Sequence, residues 1–344
     1  MKQFKLALRT AAAAAILAGT TATAFAQEVT LKLHQFLPAQ ANVPKLILDV
    51  WADKVEADSN GRIKIERFPS MQLGGKPPEL IGQLEDGVAD IVWTVGGYTP
   101  GRFPQAEVFE LPFMMTNGED TSRAYWEFAE ANMLDKDYAP FKTIALWVHG
   151  PGLIHSKNPI SSPADLNGVK LRAPTRLLNK MFTELGATPI GMPVPAVPEA
   201  LSKGVIDATV IPWEVTGALK VPELVGNHTE FGDAALYTTT FIFAMNRDKY
   251  DALPDDLKAV IDANSGADVS AWAGKVMSEA DAPSREKAVA NGNNIITLSA
   301  EQVAEWRAAA GSQEADWIKA MTDAGYDGQA LVDQAKALIA KHSN

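Results

Sequence analysis

The chain has 344 residues, no cysteine and a formal net charge of −11 at pH 7. Its length suits one large or two medium-sized α/β domains. The lack of cysteine excludes disulfides, thiol chemistry and thiolate metal sites, and the acidic composition argues against nucleic acid as a partner. Because this charge gives no general attraction for an anion, any bound anion has to be held by a local cationic group.

Residues 1–26 have the pattern of a secretory signal peptide. A basic start is followed by an apolar stretch at 11–18 and by a small-x-small cleavage site at 24–26. The apolar stretch is too short to span a bilayer by itself; the alternative is a retained anchor. We expect export to the periplasm and cleavage before Gln27. The mature net charge is then −14, since the leader contains three basic residues and no acidic one.

The first half of the mature chain predicts a β-α-β-α-β series. Its predicted elements are Val29–His34, Trp51–Asp58, Ile63–Ile65 and a buried strand that ends at Trp93. A helix precedes this last strand and ends at Gly87, which suits a left-handed helix cap. His34 and Gln35 end the first strand, so we expect both side chains to hydrogen-bond a ligand.

The second half repeats this series. Its predicted elements are Val169–Arg172, Arg176–Leu185, Thr188–Ile190 and a strand that ends at Val210. The match is closest where Gly87-Val-Ala-Asp90 corresponds to Gly204-Val-Ile-Asp207. A series that occurs twice predicts an α/β protein with two open, mainly parallel sheets covered by helices. His34 and Arg172 are then pseudo-equivalent, and we expect them to face a cleft from opposite sides.

Arg172 is the strongest candidate for a ligand contact. Ser162, Pro163 and Asp165 predict a helix start before its strand, and Pro174 ends that strand because proline cannot donate to a sheet. A guanidinium at the carboxyl end of an α/β strand lies where such sheets bind ligands. It holds a carboxylate with two parallel hydrogen bonds. The alternative is a surface arginine in a salt bridge.

The remaining chain predicts a return strand and a long helix. Leu236–Met245 is expected to bring the chain back to the first domain. A helical pattern from Pro254 to Ala290 predicts a spine helix along both domains, although Gly266 and Gly274 weaken it. We therefore predict domain I at 27–148 plus 237–275, and domain II with the C-terminal helices at 149–236 plus 276–344. Trp306 and Trp317 in the tail are expected in the core.

No catalytic motif is present in the sequence. None of the five histidines has metal-ligand spacing, and no nucleophile elbow occurs. The glycines at 74–75 and 96–101 do not fit a phosphate loop or a dinucleotide fingerprint. A base could be assembled from His34, His149 or His155, but no nucleophile for it is identifiable. We therefore expect no enzyme, no metal and no cofactor.

Several motifs together resemble one family. Pro163-x-Asp165-Leu-x-Gly168-x-Lys170-x-Arg172 is followed by Met192-Pro-Val-Pro195 and by Glu199-Ala-Leu-x-x-Gly204-Val-x-Asp207. Leu111-Pro-Phe113-Met precedes them, and Asn246-x-x-x-Tyr-Asp-Ala-Leu-Pro254 comes after. This combination, over essentially the whole mature chain, resembles the DctP-type periplasmic receptors of tripartite ATP-independent periplasmic (TRAP) transporters.

The resemblance implies a two-domain periplasmic binding protein of the type II-like class, hinged and closing on an organic acid. It implies delivery of that solute to a small and a large membrane subunit, and it maps the family's carboxylate-binding arginine onto Arg172. We expect a monomer. The competing functions are a periplasmic enzyme acting on a small organic acid and a ligand sensor for a signalling system.

Two departures from the family pattern predict a less polar pocket. Many members carry a second arginine where this chain has Ile154 or His155, and a polar asparagine where it has Ile211. We therefore expect Arg172 to be the sole arginine on the carboxylate. The ligand that fits best is a monocarboxylate with a hydroxy or oxo group and an apolar or aromatic body.

Other side chains are candidates for the rest of the pocket. Large aromatic side chains near strand ends line a cleft or belong to the core. Glu214 either accepts from a ligand hydroxyl, holds a cation that bridges to the ligand, or pairs with Lys220 at the surface. The predicted ligand-binding residues are Arg172, Trp213, Trp93, Trp147, His34, Gln35, Glu214 and His149.

Overall fold

The computed structural model describes residues 28–343. The predicted leader at 1–26 lies outside the described residues, and its cleavage before Gln27 stays a prediction. None of the helices in the described range is both long enough and apolar enough to cross a membrane.

Helices and strands alternate through most of the chain. The strands are β1 Val29–His34, β2 Ile63–Phe68, β3 Ile91–Val95, β4 Phe141–Val148, β5 Leu153–Ser156, β6 Lys170–Ala173, β7 Thr188–Gly191, β8 Ala208–Ile211, β9 Asn227–Glu230, β10 Thr240–Asn246 and β11 Asn294–Thr297. The helices are α1 Asp49–Asp58, α2 Leu80–Glu85, α3 Gly118–Asn132, α4 Arg176–Glu184, α5 Val197–Ser202, α6 Trp213–Thr216, α7 Val221–Leu224, α8 Arg247–Asp251, α9 Asp255–Ala263, α10 Ala267–Glu279, α11 Asp281–Ala290, α12 Ala300–Ala309, α13 Ser312–Asp323 and α14 Gly328–His342.

The strands form two mixed sheets. The first has five strands in the order β2-β1-β3-β10-β4, and the second has six in the order β11-β9-β5-β8-β6-β7. Strands β1, β2 and β3 are parallel, whereas β10 runs antiparallel to both neighbours. In the second sheet β6, β7 and β8 are parallel, and β5 is antiparallel to β8 and β9. The predicted α/β class is confirmed, with an antiparallel part in each sheet. We call each sheet with the helices packed on it a lobe.

The two lobes have matching registers. In the first, Leu33 and His34 pair with Ile91 and Val92. In the second, Leu171 and Arg172 pair with Ala208 and Thr209. These pairs start one residue after the aspartates of the two Gly-Val-x-Asp motifs, so His34 and Arg172 do occupy equivalent positions.

The predicted spine helix is wrong as a continuous element. It is divided into α9, α10 and α11, with breaks at Asn264–Gly266 and at Ala280. Gly266 has φ +108°, a conformation that residues with a side chain rarely adopt. Its N–H donates to the carbonyl of Ile144 at 2.8 Å, which turns the chain onto β4. Gly274, the other predicted weak point, lies inside α10 and does not break it. A glycine is needed there because a Cβ would come 2.1 Å from the Gly118 carbonyl of α3.

The core positions predicted for the tail are confirmed. Trp306 is fully buried in the second lobe, and Trp317 is 4% exposed in the main hydrophobic cluster. The last helix, α14, packs against α3, beside the first sheet. The exact domain boundaries stay a prediction.

Candidate functional site

A cavity lies between the carboxyl ends of the parallel strands of the two lobes. It contains about 400 Å³ of space between protein atoms, part of which is open to solvent. Its wall is mostly apolar and aromatic. The lining residues are Phe36, Leu37, Trp93, Val95, Tyr98, His149, Arg172, Pro174, Val194, Val210, Ile211, Pro212, Glu214, Val215, Tyr237, Thr239 and Phe241.

Arg172 is fixed in this wall by its own lobe. It is 2% exposed. Its Nε donates to the Met192 carbonyl at 2.9 Å, and Nη1 donates to the Val210 carbonyl at 3.1 Å. Nη2 lies 3.5 Å from the Tyr98 hydroxyl of the other lobe. A guanidinium has five N–H groups, so one remains on each terminal nitrogen. Two such N–H groups suit a carboxylate.

No carboxylate neutralises this guanidinium within the described part of the chain. Arg172 forms no ion pair there, so the surface salt bridge considered from the sequence is absent. An arginine keeps its charge at any physiological pH, and a buried charge without a partner is costly. The cavity therefore carries an uncompensated positive charge.

Aromatic rings cover the side of the cavity formed by the first lobe. Trp93 stacks on Phe36 with ring centroids 4.6 Å apart, and on Phe241 at 5.3 Å. Tyr98 lies beside Phe36, and its hydroxyl accepts from the Val194 N–H of the second lobe at 2.9 Å. Flat surfaces of this kind favour a flat apolar solute.

His149 contributes a polar edge to the cavity. Its Nδ1 contacts the Gly150 carbonyl, and its Nε2 lies 3.0 Å from the Thr239 hydroxyl. Burial, with a smaller contribution from the charge of Arg172, lowers the pKa of His149 to about 4. His149 is therefore neutral at physiological pH, and both of its ring nitrogens already have partners.

Glu214 is the acidic group of the wall. It is 3% exposed, and its Oε2 has no hydrogen-bond partner among the described residues. Burial raises its pKa to about 8, with a further contribution from Asp281. The alternative pairing with Lys220 at the surface is wrong, because the Glu214 side chain is buried and forms no such ion pair in the described range.

Two of the predicted tryptophans lie behind the cavity wall. Trp147 is fully buried, stacks on Trp93 at 6.2 Å and directs its Nε1 to the sulfur of Met277 at 3.0 Å. Trp213 donates to Glu230 at 2.9 Å and packs with Leu153 in a small apolar cluster. Neither ring lines the cavity, and their predicted contact with ligand stays a prediction.

His34 and Gln35 also lie away from the cavity. His34 Nδ1 is 2.8 Å from Gln83 Oε1, and its Nε2 accepts from the Leu73 N–H at 3.3 Å. Gln35 bonds both backbone groups of Leu37 and lines a separate groove beside Arg67. Neither residue lines the cavity, and local partners use their polar groups; their contact with ligand stays a prediction. Trp93, His149, Arg172 and Glu214 are the predicted residues that the structure brings together.

Several residues of the wall were missed or undervalued in the sequence. Tyr98 belongs to the turn directly after β3, a place where side chains of an open α/β sheet reach ligand. Tyr237 and Thr239 belong to the segment that returns the chain to the first sheet. Phe36 and Phe241 had no signal beyond their hydrophobicity, because only the folded arrangement brings them beside Trp93.

The segments that join the lobes form part of the wall. Gly152 N–H donates to the Tyr237 carbonyl at 2.9 Å, and the Thr238 hydroxyl donates to the His149 carbonyl at 2.8 Å. These bonds hold the β4–β5 connection against the β9–β10 connection. Both connections therefore border the ligand cavity and the hinge.

The lobes touch each other around the cavity. Arg176 of α4 forms two hydrogen bonds with Glu107, at 2.5 and 2.7 Å. Gly97 faces Thr175 so closely that a Cβ at position 97 would lie 2.4 Å from Thr175 Cγ2. The structure thus shows the lobes closed. Within residues 28–343 no group of three or more potential metal ligands is found, and the cation near Glu214 stays a prediction.

The chain resembles proteins of known structure along nearly its full length. A TRAP solute-binding protein from Rhodoferax ferrireducens T118, in complex with copurified benzoate, is 50% identical with a TM-score of 0.90, covering 91% of this chain and 98% of that one. A marine metagenome TRAP solute-binding protein specific for aromatic acid ligands, with 3-hydroxybenzoate, is also 50% identical with a TM-score of 0.90, covering 92% and 100%.

More distant relatives are also solute-binding proteins. The ectoine-binding periplasmic protein TeaA of Halomonas elongata is 28% identical over 346 residues, covering 98% of this chain and 97% of the relative. The family model for the bacterial extracellular solute-binding protein, family 7, matches residues 36–319. With its paired sheets and its buried cationic cavity, this chain belongs to that DctP family and is a solute-binding receptor of the TRAP type.

Proposed function

We propose that the solute of this receptor is a monocarboxylate with a flat aromatic body, held by Arg172. The observation that carries the proposal is the buried guanidinium without a counter-ion in the described chain. A ligand carboxylate supplies the missing charge and accepts from the two remaining N–H groups. Two parallel charge-assisted hydrogen bonds of this kind also fix the orientation of the ligand.

The remainder of the wall supports an aromatic body. Phe36, Trp93 and Phe241 present stacked rings, and no second arginine lines the cavity among the described residues. The 50% identical proteins with benzoate and 3-hydroxybenzoate support the same class of ligand.

We propose binding without turnover. The family consists of substrate-binding proteins. His149 is the histidine of the cavity, but its low pKa makes it a weak base and its nitrogens are occupied. Recovery of the ligand unchanged and in stoichiometric amount would support a receptor, whereas product formation would support the enzyme.

We propose that the mature protein is a periplasmic monomer that delivers its solute to small and large TRAP membrane subunits. Sequencing of the mature N-terminus should give Gln27, and light scattering should give the mass of one chain. Genes for two membrane subunits beside this one would favour transport over a sensor role.

The decisive experiment is a thermal unfolding screen over organic acids with benzoate as the first probe. Ligand at a hundredfold excess over Kd should stabilise the wild type by about 2.7 kcal/mol. Arg172→Ala should abolish this shift. Arg123→Ala is a matched control, because Arg123 lies on α3 and forms its ion pair with Asp268.

An equal shift in Arg172→Ala and in wild type would contradict the carboxylate anchor. A wild-type protein stabilised by dicarboxylates or sugar acids, but by no aromatic acid, would contradict the ligand class.

A further inference from the structure

Glu214 occupies a rigid place in the cavity wall. Its backbone N–H donates to Asp281 at 2.7 Å, and its carbonyl accepts from the Asn42 amide at 2.6 Å. Asn42 belongs to the first lobe, so both lobes hold this residue when they are closed. The carboxyl oxygen Oε2 nevertheless has no partner among the described residues.

Glu214 and Arg172 act at separate parts of the wall. They form no ion pair, although both line the cavity. The charge of Arg172 acts on the pKa of Tyr98, His149 and Tyr237. The pKa of Glu214 responds instead to burial, Asp281 and Asn42. A ligand carboxylate on Arg172 therefore leaves Glu214 to face another part of the ligand.

The surroundings of Glu214 are unfavourable for negative charge. Asp281 accepts from the Glu214 N–H, and burial raises its own pKa to about 7. The Ser284 hydroxyl and the Asn42 amide contact the backbone carbonyl of Glu214, and the Asn42 amide also lowers the pKa of its carboxyl, against the larger effect of burial. With a pKa raised to about 8, the carboxyl of Glu214 is mostly protonated at neutral pH. A neutral carboxyl both donates and accepts hydrogen bonds.

We propose that Glu214 is a specificity-determining residue, which hydrogen-bonds a hydroxyl or oxo group on the ligand away from its carboxylate and disfavours a second carboxylate. This inference rests on the proposed function, since it takes Arg172 as the carboxylate anchor.

The physical reason is the difference between a satisfied and an unsatisfied buried group. An unsubstituted aromatic acid leaves Oε2 unpaired, whereas a hydroxyl in reach pairs it. A second carboxylate has to lose its water beside Glu214 and Asp281, while Arg172, the arginine that lines the described wall, already holds the first carboxylate. The site should therefore prefer hydroxy acids over plain acids, and plain acids over diacids.

The test is calorimetric titration with benzoate, 3-hydroxybenzoate, 4-hydroxybenzoate and isophthalate. The hydroxybenzoate that binds wild type more tightly is then titrated into Glu214→Gln and Glu214→Leu. The ratio of its affinity to that of benzoate should fall about tenfold in Glu214→Leu, the equivalent of one hydrogen bond. Glu214→Gln should keep most of this ratio, since an amide also donates and accepts.

Controls separate the outcomes. Glu223→Leu, an exposed acid outside the cavity, should leave all ratios unchanged, and unfolding curves of the ligand-free variants check the fold. An unchanged ratio in Glu214→Leu, or a preference that appears only with added Na⁺ or Ca²⁺, would overturn the inference. Failure of every aromatic acid to bind wild type would instead refute the proposed function.

Discussion

His34 and Arg172 occupy equivalent positions in the two lobes but have different surroundings. Each lies at the end of a strand that pairs in parallel with two neighbours, in matching register. His34 is bonded by Gln83 and Leu73 of its own lobe, whereas Arg172 keeps two N–H groups and an uncompensated charge. A strand end of this kind places a polar side chain where a ligand can be bound. The side chain is available for binding only if some of its polar groups have no partner in the protein.

The largest effect is expected from leucine substitutions at these two positions, which should change ligand affinity at Arg172 and the stability of the fold at His34. Arg172→Leu should weaken binding of an aromatic acid at least about a hundredfold, because a charged hydrogen-bonded pair is lost. Its ligand-free stability should not fall, since removing an unpaired buried cation offsets the lost hydrogen bonds. His34→Leu should lower the free energy of unfolding by about 1 kcal/mol and keep the affinity.

Calorimetry and urea unfolding of both variants measure these quantities. The comparison breaks down if His34→Leu binds as weakly as Arg172→Leu, or if Arg172→Leu loses stability without losing affinity.

A second variant keeps both residues and changes the approach of the lobes. Gly97→Ala places a methyl group against Thr175, and overpacking typically costs about 1–3 kcal/mol. The cost applies to the closed form, so affinity should fall about tenfold while the ligand-free protein unfolds as before. The rescue variant is Gly97→Ala with Thr175→Ser, which removes Cγ2 and keeps the hydroxyl that caps α4.

Stopped-flow or calorimetric titration of the single and double variants gives the answer. Equal affinity of wild type and Gly97→Ala would show that the Gly97–Thr175 contact does not limit closure.

The smallest effect concerns a histidine pair in the second lobe. His155 Nδ1 lies 2.7 Å from His228 Nδ1, and His155 Nε2 is 3.1 Å from the Ile211 carbonyl. Burial lowers the pKa of His155 to about 3 and that of His228 to about 4. The unfolded chain therefore binds more protons between pH 6.5 and about 4. Stability present above pH 6.5 should be lost across this window, by at most about 1.4 kcal/mol per pH unit for each histidine.

Urea unfolding at pH 7, 6 and 5 measures this slope. Since His149 also has a lowered pKa, His228→Gln should remove one of several histidine titrations and reduce the slope, and an unchanged slope in this variant would assign the acid sensitivity to other groups.

Much of the fold follows from local patterns in the sequence. The repeated Gly-Val-x-Asp motif predicts two equivalent strands, and the register confirms their equivalence. Strand β10 starts at Thr240 rather than at the predicted Leu236, because 237–239 belongs to the connection between the lobes. Helical periodicity extends past Gly266 and therefore predicts a continuous spine helix. The helix breaks there because the Gly266 N–H bonds the Ile144 carbonyl, a contact that depends on the tertiary fold.

The site is less predictable than the fold. The position of Arg172 at a strand end and the family resemblance predict that it anchors a carboxylate, and Arg172 does lie in the cavity wall. The orientation of the His34 side chain depends on Gln83, and that of the Trp213 side chain depends on Glu230; both partners lie elsewhere in the sequence. No local pattern records such partners. The same holds for the ring stack of Phe36 on Trp93.

The connections between the lobes have one further consequence. His149, Tyr237 and Thr239 border the cavity and belong to these connections, so the cavity lies close to the pivot that a rotation of one lobe against the other would use. A rotation displaces each point in proportion to its distance from the axis. Small movements of the atoms that touch the solute thus become large displacements at the far surfaces of the lobes. Closing of the lobes therefore changes the outer surface of the protein more than it changes the wall of the cavity.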